Sequence, residues 1–286
     1  GIILDKMGIR FTSVTAAIIM VIGAGLKYFA IHFMTADTSF QLLFWEFRTQ
    51  VFWASIGYAV FGVGVEIAGI TVSKIIVKWF KGKEMALAMG LEMACARLGT
   101  FAALAFSQPL ATAFENVSAP ILLGLVLLCI GLITFIIYYF MDVKIDRQIK
   151  EASLGLEEDH FRLRDIGFII KNRGFWYIAM LCVLFYSAVF PFYKYGPDLM
   201  VNKFGIHPDY DGLIPSLLPF GTLFLTPFFG NLYDRKGKGA SIMLLGAIML
   251  IVVHLVLWMP VLGQDLTSIV VAVIAVVVLG VAFSLV

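Results

Sequence analysis

Two ionisable residues stand in the middle of otherwise apolar stretches, Glu66 within 51–78 and Arg97 within 85–112. Between the stretches, Trp79-Phe80-Lys81-Gly82-Lys83-Glu84 has the composition of a short polar hairpin. Glu66 precedes Trp79 by 13 residues, and Arg97 follows Glu84 by 13. On antiparallel helices rising about 1.5 Å per residue, both side chains then lie roughly 20 Å from the hairpin, at one depth. A charge so deep in an apolar medium is costly unless paired or hydrated. The two residues are therefore either an ion pair that fixes helix packing or a recognition site offering one charge of each sign.

Other polar positions are weighed in the same way. Lys74 lies five residues before Trp79 and Glu92 eight after Glu84. They read as a structural pair near the mouth of a helix bundle, or as a proton-handling pair. Lys27, at the outer part of its stretch, reads as snorkelling to an interface. Tyr186 sits about 12 residues into the apolar run starting at 174, where its hydroxyl needs a partner. It is a candidate for facing a cavity. Pro191 and Pro197 follow it, and each removes a hydrogen bond from a helical ladder. Cys95, Cys129 and Cys182 lack the spacing of a metal or disulfide framework, and His32, His160, His207 and His254 are scattered. Gly230 is too far from Gly237-Lys238 for a phosphate-binding loop, and Gly62-x-Gly64-x-x-x-x-Gly69 reads as small residues that let helices pack closely. No cofactor, metal or enzymatic activity is expected.

These residues need long apolar elements to hold them. The chain has 286 residues, 61% apolar and 14% charged, and a mean hydropathy of +0.95. A soluble domain carries about 25% charged residues, so the surrounding medium is a bilayer. Uncharged runs cover 116–141, 174–193, 212–233, 239–264 and 266–286. Each is long enough for the roughly 20 residues of a spanning helix and lacks the alternation of a barrel strand. With 11–33, 51–78 and 85–112 this gives eight spans, plus the tail of another at Gly1–Leu4. The missing initiator Met and the apolar run ending at Val286 lead to the expectation of an interior fragment of a longer chain. Most of the 21 Lys and Arg fall on one set of alternate connections, which is cytoplasmic by the positive-inside rule. The formal net charge of +2 therefore reflects topology, and no nucleic-acid partner is expected.

Two of those connections repeat a pattern. Gly1-Ile-Ile-Leu-Asp5-Lys6-Met-Gly8-Ile-Arg10 and Gly230-Asn-Leu-Tyr-Asp234-Arg235-Lys-Gly237 both read G-x-x-x-D-[KR]-x-G, starting 229 residues apart. The glycines permit a tight turn, and the aspartate can face a positive helix N-terminus. The reading is either a basic loop that only sets topology or a gating element shared by two halves. Between them lies the polar stretch 142–173, whose end, Phe161 to Lys171, mixes apolar and basic residues as a helix on the membrane surface would. Duplicated halves joined by a cytoplasmic linker are characteristic of secondary transporters. The expected organisation is an N-terminal bundle 1–141, a linker 142–173 and a C-terminal bundle 174–286. The repeated loop resembles the signature of the major facilitator superfamily, found after its second and eighth helices. The resemblance implies an all-α polytopic fold of two bundles with twelve helices when complete, of which this chain would run from the end of helix two into helix ten.

Trp79-Phe-Lys-Gly-Lys-Glu84, Gly90-Leu-Glu-Met-Ala-Cys-Ala-Arg97-Leu-Gly99 and Phe190-Pro-Phe192 are similar to the lysosomal dipeptide uniporter branch of that superfamily. What the branch implies is a transporter alternating access around a midplane site, with Arg97 on the carboxylate and Glu66 on the ammonium of a dipeptide. Two residues depart from the pattern. Glu92 stands where the branch has a neutral glutamine, so proton symport is an alternative to uniport. Tyr58 replaces the arginine that many members have in helix four. The substrate is expected to be a small molecule, a dipeptide by the resemblance, or else another small organic anion or zwitterion. A different class of reading is a transport-dead receptor or scaffold. The expected location is a multi-pass position in a bacterial inner membrane, with lipid as the surrounding partner. In a eukaryote it would be the lysosomal membrane, with an accessory glycoprotein as partner.

Overall fold

A computed structural model describes residues 2–35, 37–42, 45–80, 85–151, 167, 170–236, 239–260 and 266–285. Its helices are α1 (Ile2–Phe33), α2 (Thr49–Trp79), α3 (Met85–Ala113), α4 (Ala119–Glu151), α5 (Arg173–Phe204), α6 (Leu213–Lys236), α7 (Gly239–Trp258) and α8 (Leu266–Leu285). Among the described residues, eight helices are long and apolar enough to cross a membrane, in agreement with the eight spans expected. Helices suit this medium because every backbone N–H and C=O is paired within the segment. Much of their apolar surface stays outward. Leu123, Val126, Leu127, Ile130, Ile133 and Ile137 of α4 are all exposed, the face a bilayer would cover.

The chain divides into two compact units, Gly1–Met85 with Phe114–Gly167, and Ala86–Ala113 with Phe168–Val286. In the first, α1 packs along α2 and α4. A Cβ added to Gly57 of α2 would come within 2.7 Å of the Lys27 backbone nitrogen, and Gly64 meets Met20 and Ala16 as closely. Only glycine allows backbones this near. Gly62 and Gly69 face open space, so of that pattern Gly64 alone serves close packing. One feature is not evident from hydropathy: β1 (Ser39–Leu42) and β2 (Trp45–Arg48) pair antiparallel between α1 and α2. The ladder sets Phe40 opposite Phe47, their rings 6.3 Å apart, with Phe52 of α2 5.0 Å from Phe40. Such cross-strand aromatic pairs stabilise short hairpins.

In the second unit the core joins Phe185, Val189, Phe192 and Met200 of α5, Leu218 of α6, Leu250 and Val253 of α7 and Val276 and Leu279 of α8. Helix α3 belongs here: Phe101 lies 5.2 Å from Phe220 of α6, and Thr112 donates to Asp209 at 3.3 Å. Helix α5 starts where Asn172 accepts from the Gly174 N–H at 2.8 Å. It runs through Pro191, Lys194 and Pro197 and ends at Gly205, whose φ of 68° closes the last turn. The expected run 174–193 is therefore the inner part of a longer helix. The Lys194 charge does not stop it, because that side chain is exposed on the helix surface.

Candidate functional site

In the first unit, the motif at the head of α1 has a conformation only glycine favours. Gly8 has φ 80° and ψ 161°, breaking α1 where the sequence requires a turn. Asp5 and Lys6 precede the break on α1; their side chains, like all of Gly1, lie outside the described residues. Arg10, just beyond it, turns back to α4. Its Nε donates to Asp142 at 2.7 Å, and its Nη2 reaches Asp146. Lys78 at the end of α2 donates to both Asp142 oxygens, at 2.8 and 2.9 Å, and to Asp146 at 2.9 Å. Trp79 Nε1 donates to Asp142 at 3.0 Å, and the Tyr138 hydroxyl donates to Asp142 at 3.2 Å. The Asp142 side chain is 1% exposed, yet its lone pairs are occupied by donors from three helices. A buried carboxylate is tolerable on those terms. This is why α4 continues through Asp142 to Glu151 and does not end at the first charge after its apolar run.

The second copy of the motif lies at the end of α6. Gly230, Asp234 and Arg235 are within that helix with side chains outside the described residues, and Gly237 is outside them altogether. So is most of the expected surface helix from Phe161 to Lys171. In the first unit Glu66 is exposed on α2, with Lys74 two turns further on. Lys27 lies over the Tyr58 ring with Nζ 5.6 Å from its centroid, a cation–π contact that gives the ammonium a partner within the unit.

The second unit carries the other candidate, and Arg97 and Glu66 are each described within their own unit. Arg97 projects from the apolar helix α3, half-buried, with its guanidinium carbon 4.4 Å from the centre of the Phe283 ring of α8. Phe185 of α5 supports that ring at 5.3 Å. Within this unit, among the described residues, no carboxylate pairs with Arg97. The nearby polar group is Tyr193 of α5, whose hydroxyl feels the Arg97 charge without forming a hydrogen bond of ordinary geometry. Tyr186, two helical turns earlier, is 45% exposed and stacks on Phe190 at 5.1 Å. Glu92 lies on α3, half-buried, before Arg97. His254 of α7 has its ring nitrogens 2.9 Å from the Leu250 carbonyl and 3.1 Å from the Ala188 carbonyl, tying α7 to α5 just before Pro191.

Tyr193, Phe283, Lys78 and Asp142 stand out in the structure, and spacing alone does not single them out. Asp142 has a faint signal, falling four residues after Tyr138 and four before Asp146, on one helix face. Tyr193 has one too, seven residues beyond Tyr186 and between two prolines.

A family model described as Major Facilitator Superfamily matches residues 1–286. Among curated proteins, a lysosomal dipeptide transporter MFSD1 from Danio rerio is 27% identical over 232 residues, covering 76% of this chain and 50% of that protein. The protein of that name from Homo sapiens is 27% identical over 225 residues, covering 74% and 48%, and that from Gallus gallus 28% over 252 residues, covering 82% and 53%. The chain spans about half the length of the curated relatives it matches. No solved structure matches it.

Proposed function

We infer from one premise, that this chain belongs to the Major Facilitator Superfamily, that it works in moving dipeptides across a membrane by alternating access. An integral multi-pass transporter-family protein has to offer its cargo a site inside the apolar layer, where ionised groups are rare and functional by default. The observation that carries the reading is Arg97: a guanidinium on an apolar helix, laid over Phe283, with no carboxylate beside it among the described residues of its unit. Arginine presents a planar fork of donors suited to a carboxylate. Glu66, as far before Trp79 in the sequence as Arg97 is after Glu84, is suited to the ammonium of a zwitterion. Relatives named for dipeptide transport support the choice of substrate, since a dipeptide separates its two charges enough to use both residues. The repeated G-x-x-x-D-[KR]-x-G loops, one in each expected bundle, are assigned to gating.

The test is flux of dipeptides into proteoliposomes containing the full-length protein. Net uptake is expected; saturable binding without uptake would make the protein a receptor. The two ends of the ligand are separable. An N-acetylated dipeptide is expected to bind at least about tenfold more weakly than the free form, because a charge-assisted hydrogen bond to Glu66 is worth about 1.5–3 kcal/mol. Equal competition by the acetylated and free forms would reassign Glu66 to charge balance, leaving Arg97 to hold an anionic substrate by itself.

Coupling rests on Glu92. In a region that is alternately closed and open to the cytoplasm, a carboxylate loses and regains hydration, and its proton can follow. We expect Glu92→Gln to keep dipeptide binding while abolishing accumulation driven by a pH gradient. Uptake by the wild type that ignores an imposed gradient would leave Glu92 a structural residue and the protein a uniporter.

A further inference from the structure

Among the described residues, the Tyr193 hydroxyl is the one buried side-chain polar atom with no hydrogen-bond partner. Buried polar groups are satisfied in the great majority of cases, so an exception calls for a physical account. Its surroundings supply one. The polar group acting on it is Arg97, and a guanidinium has five donors and no acceptor. Arg97 can therefore never take the Tyr193 proton in a hydrogen bond. On its other side Arg97 meets an apolar wall: the Phe283 ring covers one flat face of the guanidinium, and Phe185 backs that ring. Covering the face leaves the in-plane N–H edge of Arg97 as its free side. Here α3, α5 and α8 bring together two sets of donors, one charged and one neutral, and the site is short of acceptors.

We propose that Tyr193 is a substrate-binding residue, its O–H donating to the same carboxylate that Arg97 holds. The proposal rests on the reading of Arg97 as the carboxylate residue and deepens it. A carboxylate has two oxygens and about four lone-pair positions, enough to accept from the guanidinium edge and from the phenol together. An amide or ester carbonyl has one oxygen and no charge, and it leaves part of the donor set unmet. Tyr193 thereby sets the requirement for a free carboxyl terminus, and Tyr186, stacked on Phe190, stands outside that clamp.

The test uses the full-length protein and Tyr193→Phe, which deletes one oxygen and keeps the ring that packs in the unit. Three probes are titrated in thermal-shift and competition assays: alanylalanine, its C-terminal amide, and succinate. Without ligand, the variant is expected to melt close to the wild type, because the ring that packs in the unit is kept and the deleted O–H has no acceptor to lose. With alanylalanine, affinity should fall about tenfold, the usual effect of one lost hydrogen bond to a charged group. In proteoliposomes the KM should rise by a similar factor with the maximal rate little changed. The amide, already poorly bound, should bind both proteins alike. Equal alanylalanine affinity in the two proteins overturns the assignment, as does a loss that is the same for the amide. A wild type that binds succinate but not alanylalanine overturns the dipeptide reading alone, and the clamp is then judged on whether Tyr193→Phe weakens succinate. A wild type that binds none of the three overturns both.

Discussion

Arg97→Ala is expected to lower dipeptide uptake by the full-length protein at least about a hundredfold, and Arg97→Lys to lower it nearly as far. Truncating one partner of a desolvated charge pair typically costs 2–5 kcal/mol, and every 1.4 kcal/mol is tenfold. Lysine keeps the charge but loses the planar fork, and with it the stacking that sets the guanidinium 4.4 Å over Phe283. If Arg97 only balanced charge, the lysine variant would transport like the wild type. Uptake by reconstituted variants, normalised to monodisperse protein, is the measurement. Wild-type rates in both would remove Arg97 from the substrate site.

The second large effect concerns stability and not transport. Asp142→Asn keeps the shape of the side chain but leaves Arg10 and Lys78 facing a neutral amide at a position 1% exposed. Breaking a buried ion pair by removing one partner costs about 3–5 kcal/mol, whereas replacing the whole set by apolar residues is close to neutral. The expected loss is about 3 kcal/mol, at the low end because Asp146 still accepts from both cations. It is read as a lower melting temperature in detergent, and Asp142→Leu combined with Arg10→Leu and Lys78→Met should recover part of it. A melting temperature within a degree or so of wild type for Asp142→Asn would mean that water, and not these cations, satisfies the carboxylate.

Much of the fold is legible in the sequence because a bilayer imposes a single dominant rule. Runs of some twenty apolar residues become helices, since no other structure satisfies their backbone there. The eight helices follow the apolar stretches, and Gly8 breaks α1 where the repeated motif calls for a turn. The rule fails where a charge lies within a helix. It reads Asp142 as the start of a linker although α4 buries it among donors from α1, α2 and α4 itself. The cause is that hydropathy records the cost of a charge and not its partner. The hairpin at Ser39–Arg48 is hidden for another reason, its strands of four residues being shorter than any hydropathy window. Arg97 is legible by its depth alone. Tyr193 is not, because an aromatic among aromatics is usually packing, and only the missing partner of its hydroxyl distinguishes it.

The ionic knot around Asp142 has an electrical consequence. Its formal charges are two positive, on Arg10 and Lys78, and two negative, on Asp142 and Asp146. Moving a net elementary charge through the full membrane field involves about 2.3 kcal/mol per 100 mV, but a balanced quartet moving as one body involves none. The movement of these four charges with the ends of α1, α2 and α4 is then, by itself, blind to voltage. A zwitterionic cargo is equally blind. Sensitivity of this protein to membrane potential, where it is found, has to enter through a charge that travels unaccompanied, and a proton on Glu92 is the one such charge that the proposed cycle contains.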